Sequence, residues 1–369
     1  MIVNRYPPYV GGVEFHVRNL ATALAEQGHE LWVLTIAEKA GERIDEGPVR
    51  VLTGTAHAPI AEIITFPAPG ATRRIAEFLR EHSIDAVSVH TRFFPMSFVG
   101  VRAARRAGIP VIHTEHGSDF VASDSPIVSI GSRIVDFTMG RYVLKSADRV
   151  VAVSPEAAAF ASRLGGVRAS VFYNAITPPA YDAPPVQRPS SLVFVGRLVP
   201  GKGWDVFIGA IEALRDRGVE VTGELLGAGP DLEAARQAVR EKGLEAVVAV
   251  RGRVSPDEVR EALAGATLVN PTVLSEGFQT TLLEALAERG RVVTFDVPGA
   301  ELLRDRGFPV SICADRTEDR LVESLVEFLE DPPALADPSL IDEWTWTNRA
   351  EEYARIASDV VAEHSSPSE

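Results

Sequence analysis

The chain has 369 residues, 46% hydrophobic and 24% charged, a length that suits two globular domains better than one core. No stretch reaches the roughly 18 to 20 apolar residues of a membrane span, the start has no signal-peptide layout, and the single cysteine, Cys313, excludes an internal disulfide or a cysteine-built metal cluster. A net charge of −14 argues against generic nucleic-acid binding, and the reducing cytoplasm is the expected location.

In chain order, residues 1–3 make a very short strand that is either unusually brief or starts upstream of Met1. Pro7-Pro8 and Gly11-Gly12 follow as a loop, and Val13, Val17, Leu20 and Leu24 recur at helical spacing up to Gly28. A Gly-Gly pair between strand and helix lets a backbone approach a ligand, or simply makes a tight turn. The pattern predicts strands at 31–36, 86–90, 111–113, 149–153 and 170–173 and helices at 74–80, 99–107, 131–145 and 155–164. Residues 41–70 are rich in Pro, Gly and Thr and show no clear period. After the strand at 111–113 comes Thr114-Glu115-His116-Gly117-Ser118-Asp119, a titratable cluster at a strand end, where open α/β sheets hold ligands. Structural and functional readings of His116 both stand at this point. Arg102, Arg105 and Arg106 form a basic cluster whose ordinary reading is a solvated helix face, with peripheral contact to an anionic acceptor or membrane surface as the minority reading.

Residues 177–190 hold five prolines and no apolar period, which marks a linker. Charge changes there too: residues 1–178 carry 18 Lys+Arg against 17 Asp+Glu, and residues 179–369 carry 19 against 34. Beyond the linker, strands are predicted at 191–195, 219–226, 247–251, 266–269, 291–295 and 310–312. Helices fall at 204–215, 231–242, 256–263 and from about 280. Strands alternating with helices at this pace imply parallel sheets of βαβ units, one on each side of the linker.

Three loops of the second half carry chemistry. Between a strand and a helix, Gly196 to Gly203 brings Arg197 and Lys202 together, two cations able to neutralise a diphosphate and the charge that develops as it leaves. Lysine is scarce, 4 against 33 arginines, which counts against Lys202 as an ordinary surface residue. Gly227-Ala228-Gly229 lacks the third glycine of a dinucleotide fingerprint, since Leu232 stands there, and the Walker A order is absent as well. In Glu276-Gly277-Phe278-Gln279-Thr280-Thr281 a loop glutamate precedes a helix start whose free amides suit an anion. Glu284 lies about 6–8 Å further along that helix. A phosphate flanked by two hydroxyl-bearing rings fits this layout; the bland alternative is one loop Glu and one surface Glu. No Asp-x-Asp occurs, so no acidic metal clip is expected.

Gly11-Gly12, His116-Gly117, Asp148 through Ser154, Asn174, Arg197 with Lys202-Gly203, Gly227-Ala228-Gly229-Pro230 and Glu276-Gly277-Phe278 with Glu284 occur in the order seen in family-4 retaining glycosyltransferases, which the chain resembles over nearly its whole length. The resemblance implies an α/β protein of the GT-B type: two Rossmann-like domains facing across a cleft, an acceptor-side domain at 1–177 and a nucleotide-sugar domain at 191–342. The stretch 178–190 would link them, and a final helix at 343–364 would cross back to the first domain. It further implies that Arg197 and Lys202 grip the diphosphate, that Glu276 bonds sugar hydroxyls and Glu284 the ribose, and that Gly277 and the amides of Phe278, Gln279, Thr280 and Thr281 face sugar and phosphate. Gly11 and Gly12 would close over the diphosphate, His116 would sit beside the transferred sugar, and Gly227, Gly229 and Arg253 would complete the donor set. The implied reaction moves a hexose-type sugar from a nucleoside-diphosphate sugar to a hydroxyl acceptor without metal or cofactor, the leaving diphosphate assisting on the same face, in a monomer or homodimer. Gln279 departs from the small residue often found there and is expected to reshape the sugar pocket; Ala175 replaces a common glycine. The alternatives are a nucleotide-sugar epimerase on the same fold and a sugar-nucleotide binding protein with a dead site.

Overall fold

Alternating strands and helices build two separate α/β units, Met1–Ala175 with Trp346–Glu369, and Ile176–Thr345. The computed structural model describes the chain apart from residues 10, 39, 45–48, 61–63, 121–125, 179–185, 275–276 and 367–369, and apart from the side chains of 42–44, 58–60, 64 and 126–127. Most of the linker expected at 178–190 therefore lies outside the described residues. Its last part is bound into the second unit, where the Arg188 amide donates to Gly265 O at 2.7 Å.

In unit 1, α1 (Gly12–Glu26) leads to β1 (Trp32–Ala37), β2 (Gly41–Ile44), β3 (Arg50–Ile60) and β4 (Ile64–Pro67). Then come α2 (Ala71–Glu81), β5 (Val87–His90), α3 (Pro95–Ala107), β6 (Val111–Glu115) and α4 (Pro126–Val135). A π-helical turn over Asp136–Gly140 joins α4 to α5 (Arg141–Ser146), and β7 (Arg149–Ala152), α6 (Pro155–Gly165) and β8 (Ala169–Val171) close the run. Strands β5-β6-β7-β8 pair in parallel, and β1 pairs β3 in parallel. The expected first strand is a single bridging residue: Ile2 pairs with Leu34 of β1 and Val89 of β5 and knits the two halves together.

Strands β2 to β4 correct the reading of 41–70 as irregular. Thr, Gly and Ala fill much of β3, so hydropathy hardly alternates, and its antiparallel pairing with β2 and β4 supplies the order instead. The helix expected at 131–145 starts at Pro126 and contains the π turn.

Unit 2 runs β9 (Ser191–Val195), α7 (Trp204–Asp216), β10 (Thr222–Leu226), α8 (Leu232–Glu241), β11 (Val248–Gly252), α9 (Pro256–Leu263) and β12 (Thr267–Asn270). It continues with α10 (Thr280–Ala287), β13 (Arg291–Phe295), α11 (Ala300–Asp305), β14 (Val310–Cys313) and α12 (Glu318–Glu330), then a 3-10 turn at Pro338–Trp344. Its sheet is parallel, in the order β11-β10-β9-β12-β13-β14. Helices cover it, so Leu192, Phe194, Leu225 and Phe295 are buried among Phe207, Leu214, Leu321 and Leu325. The final helix, α13 (Trp346–Ser365), returns to unit 1, where Trp346, Ala350 and Tyr353 pack with Leu20, Ile112 and Phe172.

Candidate functional site

Sheet topology picks out one place in unit 2. Strand β9 comes first in sequence, with β10 and β11 on one side and β12 to β14 on the other, so the order reverses between β9 and β12. In open α/β sheets the carboxyl ends at such a point form a ligand crevice. The loops leaving β9 and β12 are the two that carry the expected chemistry, and they are joined: the Val273 amide donates to Gly201 O at 2.9 Å, and Thr272 Oγ1 donates to the same oxygen at 3.2 Å. Gly203 makes the approach possible, because its φ is +87° and a Cβ there would lie 2.3 Å from Pro271 O.

Arg197 is exposed at this loop and, among the described residues, its guanidinium has neither ion pair nor hydrogen bond. Lys202 is half-buried, with Cε close to Gly196. Gly227 serves packing: its φ is +148°, a Cβ would meet Gly196 O at 1.8 Å, and the Gly196 amide donates to Leu226 O at 3.0 Å. Gly229 sits in the same loop, where the Leu198 amide donates to Ala228 O. Arg253, exposed just past β11, has no partner among the described residues.

Glu276 lies outside the described residues. Around it, Phe278 is buried and stacks on Trp344 with centroids 5.6 Å apart, while Gly277 is half-buried. Thr280 and Thr281 open α10, whose first amides have no intrahelical partner. The Gln279 side chain is buried, and its Nε2 has no hydrogen-bond partner among the described residues. Its Oε1 accepts from Asn270 Nδ2 at 2.8 Å, so it anchors the loop to β12. Glu284 is half-buried and its carboxylate makes no hydrogen bond among the described residues. Burial raises its pKa, with Glu288 adding to the rise and Arg260 opposing it. Arg260 is itself paired with Glu288 at 2.7 Å.

In unit 1, His116 follows β6 and belongs to a group of three rings. His90 Nδ1 lies 3.2 Å from His116 Nε2, and the His16 ring, on the helix that begins at Gly12, is 4.7 Å from His116 by centroids. His16 Nδ1 donates to Asn174 Oδ1 at 2.8 Å, which leaves Nε2 as a buried lone pair without a partner among the described residues. Burial lowers His16 to about 4, the Asn174 bond opposing. It holds His90 and His116 well below 6.5, with the neighbouring rings adding to the shift. All three are therefore neutral at pH 7. Their ring nitrogens lie within 4.8 Å of one another, close enough for one ion, although His90 and His116 already bond each other and His16 bonds Asn174. Backbone conformation does not force glycine at Gly11, where φ is −176° and a Cβ would displace the tip of the Glu14 side chain 2.2 Å away, and a Cβ on Gly12 would meet nothing within 4 Å.

Arg92, like His16 and His90, has no signal in the sequence analysis. It is 1% exposed, pairs with Glu115 at 2.9 Å and reaches Asp136 through Nε at 2.8 Å and Nη2 at 3.1 Å. Burial would raise Glu115, but Arg92 and His113 hold it down to about 2. Glu115 Oε1 in turn accepts from the amides of His116 and Gly117 at 3.1 and 2.9 Å, which fixes the His116 loop. The apolar cavity of about 260 Å³ between β1, β3 and α2 contains none of the expected site residues.

Comparison with known proteins adds an independent line. The family model for Glycosyltransferase Family 4 matches residues 10–178, and that for Glycosyl transferases group 1 matches residues 189–331. The GPI3 subunit of phosphatidylinositol N-acetylglucosaminyltransferase from Saccharomyces cerevisiae is 28% identical over 81% of this chain and 68% of its own length. The GDP-mannose-dependent α-(1-6)-phosphatidylinositol monomannoside mannosyltransferase of Mycolicibacterium smegmatis is 25% identical over 97% of each chain. Among solved structures, Anabaena HepE in complex with UDP superposes with a TM-score of 0.73 at 16% identity, covering 97% of this chain and all of that one. The lipopolysaccharide outer core galactosyltransferase WaaB superposes at 0.71 and 17% identity, covering 97% and 98%. These two likenesses establish the GT-B fold.

Proposed function

Because this chain belongs to the family-4 glycosyltransferases of GT-B architecture, we propose that it moves a hexose-type sugar from a nucleoside-diphosphate sugar to a hydroxyl acceptor, with retention and without a metal. The observation that carries this reading is the pair of joined loops at the switch point of the unit 2 sheet. A cationic loop with Arg197 and Lys202 is bonded to the loop that opens α10, and one turn into that helix stands Glu284, a carboxylate with no hydrogen bond among the described residues. Cations and helix amides suit a diphosphate, and an acceptor-only carboxylate suits a vicinal diol.

Arg197, Lys202 and the N-terminus of α10 would stabilise the departing diphosphate, which takes the acceptor's proton as the C1–O bond breaks; catalysis is then mainly electrostatic. Glu276 is assigned to sugar hydroxyls and Glu284 to the ribose. Unit 1 is assigned to the acceptor. Relatives named for phosphatidylinositol and its mannoside support an acceptor hydroxyl carried by a lipid.

A thermal-shift panel of nucleoside diphosphates and their sugars on the full chain tests the donor half. At least one base should raise the transition, its diphosphate more than its monophosphate. A folded protein that none of them shifts would remove the donor assignment.

A further inference from the structure

Ten large hydrophobic side chains are exposed among the described residues, and five of them, Val128, Ile130, Ile134, Phe137 and Tyr142, lie on the single helical run from α4 through the π turn to α5. Ile130, Ile134 and Phe137 recur at helical spacing and are 62%, 59% and 55% exposed. Isolated exposed leucines need no cause, but a row of this kind marks a surface that meets something apolar. The exposed charges on the run itself are cations, while the exposed acids Asp119 and Asp148 stand just before and just after it. Arg133, Arg141 and Lys145 are exposed on the same run. Tyr142 packs on Phe98 of α3 with centroids 5.2 Å apart, and Arg102 lies over that Phe98 ring at 5.4 Å. Helix α3 continues the surface with exposed Arg105 and Arg106.

Residues 95–107 and 126–146 thus carry six cations and one acid, Asp136, which is buried against Arg92. In a chain of net charge −14 this balance runs against the overall sign. Nucleic acid would meet the cations but gain nothing from Ile130 or Ile134. A bilayer interface with anionic headgroups uses both, the apolar side chains entering the acyl boundary and the cations resting on the phosphates.

We propose that the face formed by α4, the π turn, α5 and the outer side of α3 docks unit 1 onto a membrane surface rich in anionic phospholipid. The inner side of the same turn connects to the expected acceptor side of the chemistry: Asp136 holds Arg92, Arg92 holds Glu115, and Glu115 holds the amides of His116 and Gly117. Docking the outer side therefore steadies the segment that positions His116. The proposal deepens the lipid-acceptor reading and rests on it for the purpose of docking, whereas the binding itself does not require transferase activity.

Flotation of the full chain with vesicles separates the two. Binding is expected to vesicles of phosphatidylcholine mixed with phosphatidylglycerol, much less to phosphatidylcholine alone, and to weaken as salt rises. Ile134→Glu with Phe137→Glu should lower binding at least about tenfold, and Arg133→Glu with Arg141→Glu should remove the preference for anionic vesicles. Exposed positions tolerate such changes, and an unaltered thermal shift with the best nucleoside diphosphate certifies that each variant is folded. Absence of binding to anionic vesicles overturns the proposal while leaving the donor reading intact. So does a reversible dimer, seen by sedimentation velocity and abolished by Ile134→Glu, which would assign the face to a second copy of the chain.

Discussion

Arg197 and Glu284 are chemically open: among the described residues neither side chain has a hydrogen bond, although one sits beside a glycine-rich turn and the other is half-buried. Groups left in this state gain most from a ligand that completes them. Under the proposed roles, Arg197→Ala and Lys202→Ala should each lower kcat by about 10²-fold or more, since both would act on charge that grows in the transition state. Glu284→Ala should mainly raise the donor KM, because the proposed ribose contact would be the same in ground and transition states. Steady-state kinetics with the donor found by thermal shift distinguishes these outcomes. The three neutral histidines have a different signature. Unfolded, they titrate near the ordinary value of 6.5, whereas His16 in the fold is pushed down to about 4 by burial, and His90 and His116 are also lowered. Below pH 6.5 the unfolded chain takes up protons that the folded chain refuses, so stability falls as pH falls toward 4, by at most about 1.4 kcal/mol per pH unit for each ring. Glu115 acts in a lower window: its contribution is complete above 4.5 and is lost as pH falls toward about 2. Thermal unfolding followed across the histidine window should show the slope, and His16→Gln should flatten it.

At the scale of elements, two glycines with opposite surroundings test how the loops work. Gly203→Ala meets both a positive φ and the Pro271 carbonyl, so it should destabilise the protein by more than about 1 kcal/mol and separate the loops that leave β9 and β12. Gly12→Ala meets nothing and should change stability by less than about 0.5 kcal/mol. If the backbone there approaches the donor, Gly12→Ala still raises KM. Urea unfolding alongside kinetics reads both. Much of unit 2 was legible beforehand because a parallel sheet buried on both faces writes each strand as a short apolar run: 191–195 and 291–295 were read to the residue. Helix α12 carries a signal as well, since Leu321, Val322, Leu325 and Phe328 recur at helical spacing behind the Thr317 cap, although it is absent from the elements expected above. The π turn had no such signal, since an inserted residue leaves the hydropathy pattern on either side intact. The placement of Arg197 and Lys202 on a strand–helix loop and of Glu284 on the helix after a loop is legible because glycines and prolines punctuate those loops clearly. Arg92 was not, because the partner that explains it, Asp136, is 44 residues away. The same holds for His16 and His90, which meet His116 only through the fold.

For the whole molecule, the chain makes unit 1 from two pieces and unit 2 from one. The main core cluster of unit 2 runs from Leu192 to Phe328, and Trp344 packs on Phe278 within the same unit, so a fragment of 176–345 should unfold cooperatively by itself. A fragment of 1–175 lacks Trp346, Ala350, Tyr353 and Val360, which fill the space around Leu20, Val151 and Phe172, and circular dichroism should show no cooperative transition until residues 346–365 are supplied. The crossing of α13 also sets a timetable for synthesis. The ribosome makes 1–175 first, yet the helix that completes this part comes after the 170 residues of 176–345. At typical elongation rates that is a wait of roughly 10 to 30 seconds. Throughout it the faces of α1 and β6 that α13 will cover stand open, while the later-born unit can already close. Holding chaperones should therefore be found on the oldest part of the nascent chain and leave only when its last helix emerges.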